Sequence, residues 1–304
     1  MAFLQPALVF KDEAVSLNTL YWTSLFSYKK TSEVLKLISS TGSKIPDPRV
    51  CEIWNDTEFG DAARATHKLS EFIGFFENNS AELRSISILK ICSAFENALS
   101  GYFALCSLYE PNKDLASYAG KKIPDLLRIP AEFDDRKKQI KERCGEVLKG
   151  KYTARINLIC KRWGLKKITG AHINRLNGYY SLRHLIAHDQ SLTGADSPEN
   201  SSGEIISTRI KIDEVTWKRL LSDFTLALNE IDEEISLKVV IDGGLHLAIY
   251  RIVRRDGAQE LASLHTKLVN EWRLSNPKKT KTKEAARQIG LTVKQVDGNR
   301  YRII

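Results

Sequence analysis

Residues 81–110, AELRSISILKICSAFENALSGYFALCSLYE, decide the fold class. The run is too long for a strand and apolar enough to be largely buried, so one long helix is expected, ended by Pro111. On its N-terminal side, apolar residues recur at helical spacing over 11–40 (Leu17, Leu20, Tyr21, Leu25, then Val34, Leu35 and Ile38). A loop follows at Ser39–Ser43 with Pro46 and Pro48, and then a helix over 59–77. On the C-terminal side, Pro124 and Pro130 bracket a short segment, and helices are expected over 134–162, 171–188, 213–240 and 245–274. Gly164 and Gly170 mark the turn into 171–188, and Gly243-Gly244 breaks the chain before 245. A polar loop at 191–203 leads into a short strand at 204–212.

Beyond Asn276-Pro277 and a lysine-rich linker, 283–289 reads as a short helix ended by Gly290. LTVKQV and RYRII then flank Asp297-Gly298-Asn299, a hairpin-turn signal. The expected fold is therefore mainly α, a helical bundle with a small C-terminal α-plus-hairpin module. Four consecutive segments are expected. They are an N-terminal helical extension (1–80), the bundle (81–240), a helical segment (241–276) and the basic module (277–304).

The chain has 304 residues and 34.4 kDa, with 42% hydrophobic and 27% charged residues, which suits packed structure and not disorder. No apolar run approaches the roughly eighteen residues of a membrane span, and the start, MAFLQPALVFKDE, has no basic n-region and meets acids at Asp12 and Glu13. Neither a span nor a signal peptide is expected. Five cysteines (51, 92, 106, 144, 160) without a CxxC pair argue against a disulfide scaffold or zinc ribbon, and point to a reducing cytoplasm. Cys92 and Cys106 are expected as small core residues. GxxxxGK[ST], GxGxxG and GxSxG are all absent, which leaves kinase, dehydrogenase and serine-hydrolase readings without support.

The net charge of +9 is concentrated in two places. Residues 136–167 hold twelve Lys and Arg against Glu142 and Glu146, and 273–304 hold nine against Glu284 and Asp297, so the rest of the chain is acidic. Two local basic surfaces suit a polyanionic partner. In the C-terminal segment the Ala286…Gly290 spacing is that of a helix-turn-helix, but Asp297-Gly298 arrives too soon after it for a full recognition helix. A short helix with a wing-like hairpin is expected, holding nucleic-acid backbone, RNA in the first place, through Lys294, Arg300 and Arg302.

The chemistry is expected in 172–194, HINRLNGYYSLRHLIAHDQSLTG. On a helix, Ile173, Leu176, Tyr179, Tyr180, Ile186 and Ala187 share one arc, and Arg183 falls inside it. An inward arginine needs an anion. Either Glu96 of Ala94-Phe95-Glu96-Asn97 supplies it, or the arginine is held ready for a phosphate. His184 and His188 stand at i,i+4, and Asp189 could orient one of them. Two histidines without the Glu of HExxH do not make a catalytic zinc site, so no metal and no cofactor is expected.

These residues resemble the R-x4-6-H motif of HEPN ribonucleases. Arg183-His184-Leu185-Ile186-Ala187-His188 carries the motif, after Ile173-Asn174-Arg175-Leu176-Asn177, and Phe95-Glu96-Asn97-Ala98-Leu99 resembles the family's acid-bearing helix. The likeness covers roughly 81–240 and is of the RiboL-PSP-HEPN type found in bacterial defence and toxin systems. It implies a HEPN bundle and a homodimer with two motifs in one cleft. It also implies metal-independent cleavage of RNA, tRNA or mRNA among the candidates, and an antitoxin or defence partner. By that resemblance His188 acts on the 2′-hydroxyl or the leaving oxygen and Arg183 stabilises phosphoryl charge. His184 orients or shares the proton transfer, and Glu96 positions Arg183. Some toxin relatives carry a tyrosine where this chain has Gln190. The first 80 residues and 191–212 match nothing in the family. Two other readings stay open: a non-catalytic HEPN dimer that binds nucleic acid or nucleotide, and a metal-dependent nuclease built on His184 and His188.

Overall fold

The computed structural model describes residues 4–40, 47–53, 66–109, 121, 123–166, 171–189, 212–240, 244–272, 274 and 277–304, the side chains at 77, 78, 171, 172, 188 and 189 excepted. The loop expected at 191–203 and, Ile212 apart, the strand at 204–212 lie outside the described residues. Among those residues the fold is mainly α, with eleven helices and a three-stranded antiparallel sheet. The helices are α1 (Gln5–Ser40), α2 (Val50–Ile53), α3 (Leu69–Tyr109), α4 (Ile123–Leu127), α5 (Pro130–Val147), α6 (Tyr152–Trp163), α7 (Ala171–Asp189), α8 (Glu214–Lys238), α9 (Leu245–Asp256), α10 (Leu261–Asn270) and α11 (Lys279–Gln288). The strands are β1 (Gln259–Glu260), β2 (Val293–Asp297) and β3 (Arg300–Ile303), in the order β1-β3-β2. None of these helices is long and apolar enough to cross a membrane.

Several boundaries differ from the sequence expectation. α3 is one helix of 41 residues where two were expected, because Asn78-Asn79 costs too little to stop it. The stretch 134–162 is instead two helices, parted at Gly150, whose φ of 84° ordinary residues avoid. The stretch 245–274 is broken at Gly257 and contributes β1. The lysine run expected as linker forms the first turn of α11.

The described chain divides into two compact units, one of Met1–Asp12, Ser93–Ser181 and Ser222–Ile304, the other of Glu13–Cys92 and Leu182–Leu221. Both are discontinuous in sequence, and so cut across the four consecutive segments expected.

The first unit is centred on Phe95. Its ring stacks on Phe224 of α8 at 4.3 Å and meets Tyr152 of α6 edge-on at 5.2 Å and Phe10 of α1 at 6.2 Å. Tyr179 of α7 closes on Phe224 at 5.6 Å. Two carboxylates enter this apolar interior from α8, each 2% exposed. Asp223 takes Arg175 Nε–H at 2.7 Å, Nη2–H at 2.6 Å and the Tyr179 hydroxyl at 2.7 Å. Asp232 accepts the Leu4 backbone N–H at 3.1 Å and the Tyr102 hydroxyl at 2.8 Å. Burial pushes the Asp232 carboxyl up to about 6, against the opposing pull of those two donors.

In the same unit the stretch from α9 to β3 closes on itself. β3 pairs with β1 through Gln259↔Ile303 and Glu260↔Arg302, and with β2 through Lys294↔Arg302. Thr282, Ala285, Ala286 and Ile289 form the buried stripe of α11, and Ile303 is fully buried. Gly290, at φ 82°, lets the Leu291 N–H return to the Ala286 carbonyl at 3.0 Å, which ends α11 and starts β2. Arg255 and Lys267 hold the Asp256 carboxyl well below its ordinary range and fasten the turn between α9 and α10.

The second unit has a smaller core of Leu35, Val50 and Leu69, with Phe72 and Phe76 packed against it. Arg84 ties it together, donating to the Tyr21 hydroxyl at 2.8 Å and to the Ile212 carbonyl. Asp47 reaches across the sequence to cap α3, accepting the Ser70 N–H at 2.9 Å and hydroxyl at 2.7 Å.

Candidate active site and basic surface

α7 carries the residues the sequence singled out. Its first half belongs to the first unit and is structural. Ile173, Leu176 and Tyr179 are buried, as the arc requires. Arg175 is bound to Asp223, and Asn177 accepts the Thr153 N–H at 3.3 Å while donating to its hydroxyl at 2.8 Å, which fixes α7 to α6. The INRLN stretch thus works as a clamp on α6 and α8.

The last turns of α7 belong to the second unit. Ile186 is buried, Arg183 and His184 are half-buried, and Leu185 is 58% exposed. Ala187 corrects the expected arc, for it is exposed. α7 runs unbroken to Asp189, so His184 and His188 are one turn apart on the same flank of the helix. The side chains of His188 and Asp189 lie outside the described residues.

Glu96 belongs to the first unit, on α3. There it accepts the Tyr152 hydroxyl at 3.1 Å and pairs with Arg155 at 3.6 Å. Arg155 also lies over the Tyr152 ring at 5.9 Å and the Tyr180 ring at 6.0 Å. Sequence reasoning missed Arg155 because it sits inside a basic stretch read only as charge. The available signal was Tyr152 and Arg155 three positions apart on one helix face.

Asp223 and Asp232 were missed as well, though the sequence marks both. Asp223 stands in the stripe Leu220, Phe224, Ala227, and Asp232 in the stripe Leu228, Ile231, Ile235. Cys92 and Cys106 are buried, as expected of core residues.

Lys294, Arg300 and Arg302 come together on one surface. Arg302 faces Lys294 across the β2–β3 ladder and Arg300 is two residues along the same strand, so all three project from one face of the hairpin. All three are exposed. The opposite face bears buried Ile303 and Tyr301, whose ring takes the Lys283 ammonium at 3.9 Å.

Elsewhere in the first unit an apolar cavity of about 250 Å³ is lined by Val9, Leu105, Leu247, Arg251 and Trp272 among others. Arg251 donates to Gln5 Oε1 there at 2.8 Å, and burial lowers its pKa. Among the described residues no three His, Cys, Asp or Glu side chains are grouped to hold a metal ion. No protein-family model, no curated protein and no solved structure matches the chain.

Proposed function

We propose that the chain is a metal-independent endoribonuclease of the HEPN type, working as a homodimer in a toxin or anti-phage abortive-infection role. The observation that supports this most is α7 itself. A single helix sets Arg183, His184 and His188 in its last two turns, with the Arg183 and His184 side chains half-buried.

The residue types suit the reaction. Imidazole titrates near neutrality, so His188 can take the proton of a ribose 2′-hydroxyl or return one to the departing 5′-oxygen. The freed 2′-oxygen attacks the adjacent phosphorus as the bond to the 5′-oxygen breaks. A 2′,3′-cyclic phosphate and a 5′-hydroxyl result. The Arg183 guanidinium offsets the charge that builds on the phosphoryl oxygens, and His184 orients or shares the proton transfer. DNA lacks the internal nucleophile and is not cut. Two copies of the motif across a two-fold axis supply the second set of groups.

Incubation with total RNA in EDTA tests the reading. The native chain is expected to leave 2′,3′-cyclic phosphate ends, and Arg183→Ala or His188→Ala to abolish cutting while circular dichroism stays native. Cutting by either variant at the native rate overturns the assignment, and loss of cutting in EDTA favours a metal-dependent nuclease. A second reading, a non-catalytic dimer that binds nucleic acid, is favoured by the exposed basic face of the hairpin. It requires salt-sensitive binding without turnover.

A further inference from the structure

The path from α9 through β1, α10 and α11 to the β2–β3 hairpin has a consequence separate from RNA cleavage. α10 and α11 are two consecutive helices, and β3 fastens the hairpin that follows them to β1, which precedes α10. The hairpin is therefore a rigid arm held beside α11. α11 buries Thr282, Ala285, Ala286 and Ile289 and turns the opposite face outward, with Thr280, Glu284 and Arg287 exposed on it, Lys279 exposed beside the first turn, and the Lys283 ammonium laid over the Tyr301 ring of the hairpin. Ala285 and Ala286 on the inner stripe let it seat close to its neighbours.

Residues 277–304 hold eight Lys and Arg against Glu284 and Asp297. The C-terminal end of α11 is anchored to the helices around it. The Gln288 carbonyl receives Arg128 Nε–H at 2.8 Å, and its side chain meets His246 at 2.7 Å. The N-terminal turns, where Lys279 and Thr280 are exposed, are those that a helix-turn-helix points at base edges.

From this geometry we infer that 244–304 is a duplex-DNA-binding module, with α11 entering the major groove and the hairpin bearing on the neighbouring phosphate backbone through Lys294, Arg300 and Arg302. The ten residues of α11 are about 15 Å long and about 10–12 Å across with side chains. The B-DNA major groove is about 12 Å wide and accepts such a rod. The major groove of an RNA duplex is deep and narrow and does not. A single strand offers no groove, and the described part of this surface has no exposed row of rings on which bases could stack. The hairpin cations that the sequence assigned to RNA backbone therefore belong to DNA contact.

The full chain is titrated in EDTA against a fluorescent random-sequence DNA duplex of about 20 base pairs, long enough to span two turns of helix. The same titration uses the single strand and a 2′-O-methyl RNA duplex, which 2′-hydroxyl attack cannot cut. The DNA duplex is expected to bind most tightly and to weaken steeply as salt is raised from about 50 to about 200 mM. The double variant Arg287→Glu/Arg300→Glu is expected to bind at least tenfold more weakly, with a log–log salt slope shallower by about two. Circular dichroism and thermal midpoint are expected to stay native, because both side chains are exposed. Equal or tighter binding to the RNA duplex or the single strand overturns the proposal, as does a double variant that binds like the native chain. Because the probes cannot be cleaved, the outcome is independent of whether the chain cuts RNA.

Discussion

Asp232→Asn removes one ionisation and keeps an oxygen that can accept from Leu4 and Tyr102. In the folded chain burial raises the carboxyl from 3.8 to about 6. Between those values the folded state holds a proton that the unfolded state has released. Its contribution to stability is therefore complete below about pH 4 and lost as pH rises through 6. The rise is worth roughly 3 kcal/mol. Other carboxylates act in the opposite sense, Asp256 among them, since its depressed pKa adds stability that disappears as pH falls. The readout is accordingly the difference between native and variant urea-unfolding free energies, measured from about pH 4 to about pH 7.5. The native chain is expected to lose up to about 3 kcal/mol against the variant across the window and nothing further above it. A difference that stays flat from end to end refutes the reasoning and means that Asp232 is already ionised, or well hydrated, at pH 5.

Two other substitutions test the first unit. Phe95→Ala opens a cavity under Phe10, Tyr152 and Phe224, and is expected to cost about 3–5 kcal/mol in chemical denaturation; a cost below 1 kcal/mol would show that those rings do not form the core. Asp223→Ala leaves the buried Tyr179 hydroxyl without its acceptor and is expected to cost about 1–3 kcal/mol from that group alone. Adding Tyr179→Phe to Asp223→Ala should recover part of the loss, and a strictly additive pair would show that the two do not interact.

Much of the fold was legible because local signals agreed with the global one. The helical spacing over 171–188 gives α7 to within a residue, and Asp297-Gly298-Asn299 gives the hairpin. Two helices, over 59–77 and 81–110, were expected where α3 runs through, since roughly a few tenths of a kcal/mol of local preference at the residues between them do not stop a helix of 41 residues. β1 was illegible in principle, because a two-residue strand exists only through its long-range partner β3. Asp47 capping a helix that begins 22 positions later is hidden for the same reason. At the candidate site, the placement of Arg183 and His184 near the end of α7 could be read from periodicity, whereas the Arg155 and Tyr152 partners of Glu96 required the packing of α6 on α3.

β3 lies between β1 and β2, so Arg300–Ile303 is the hub of the sheet and not its margin. A premature stop or a proteolytic nick in the 297–299 turn would therefore do more than trim a loose tail. It would unpair Gln259–Glu260 as well as Val293–Asp297, expose the apolar seat left by Ile303, and leave α11 with nothing to hold its arm in place.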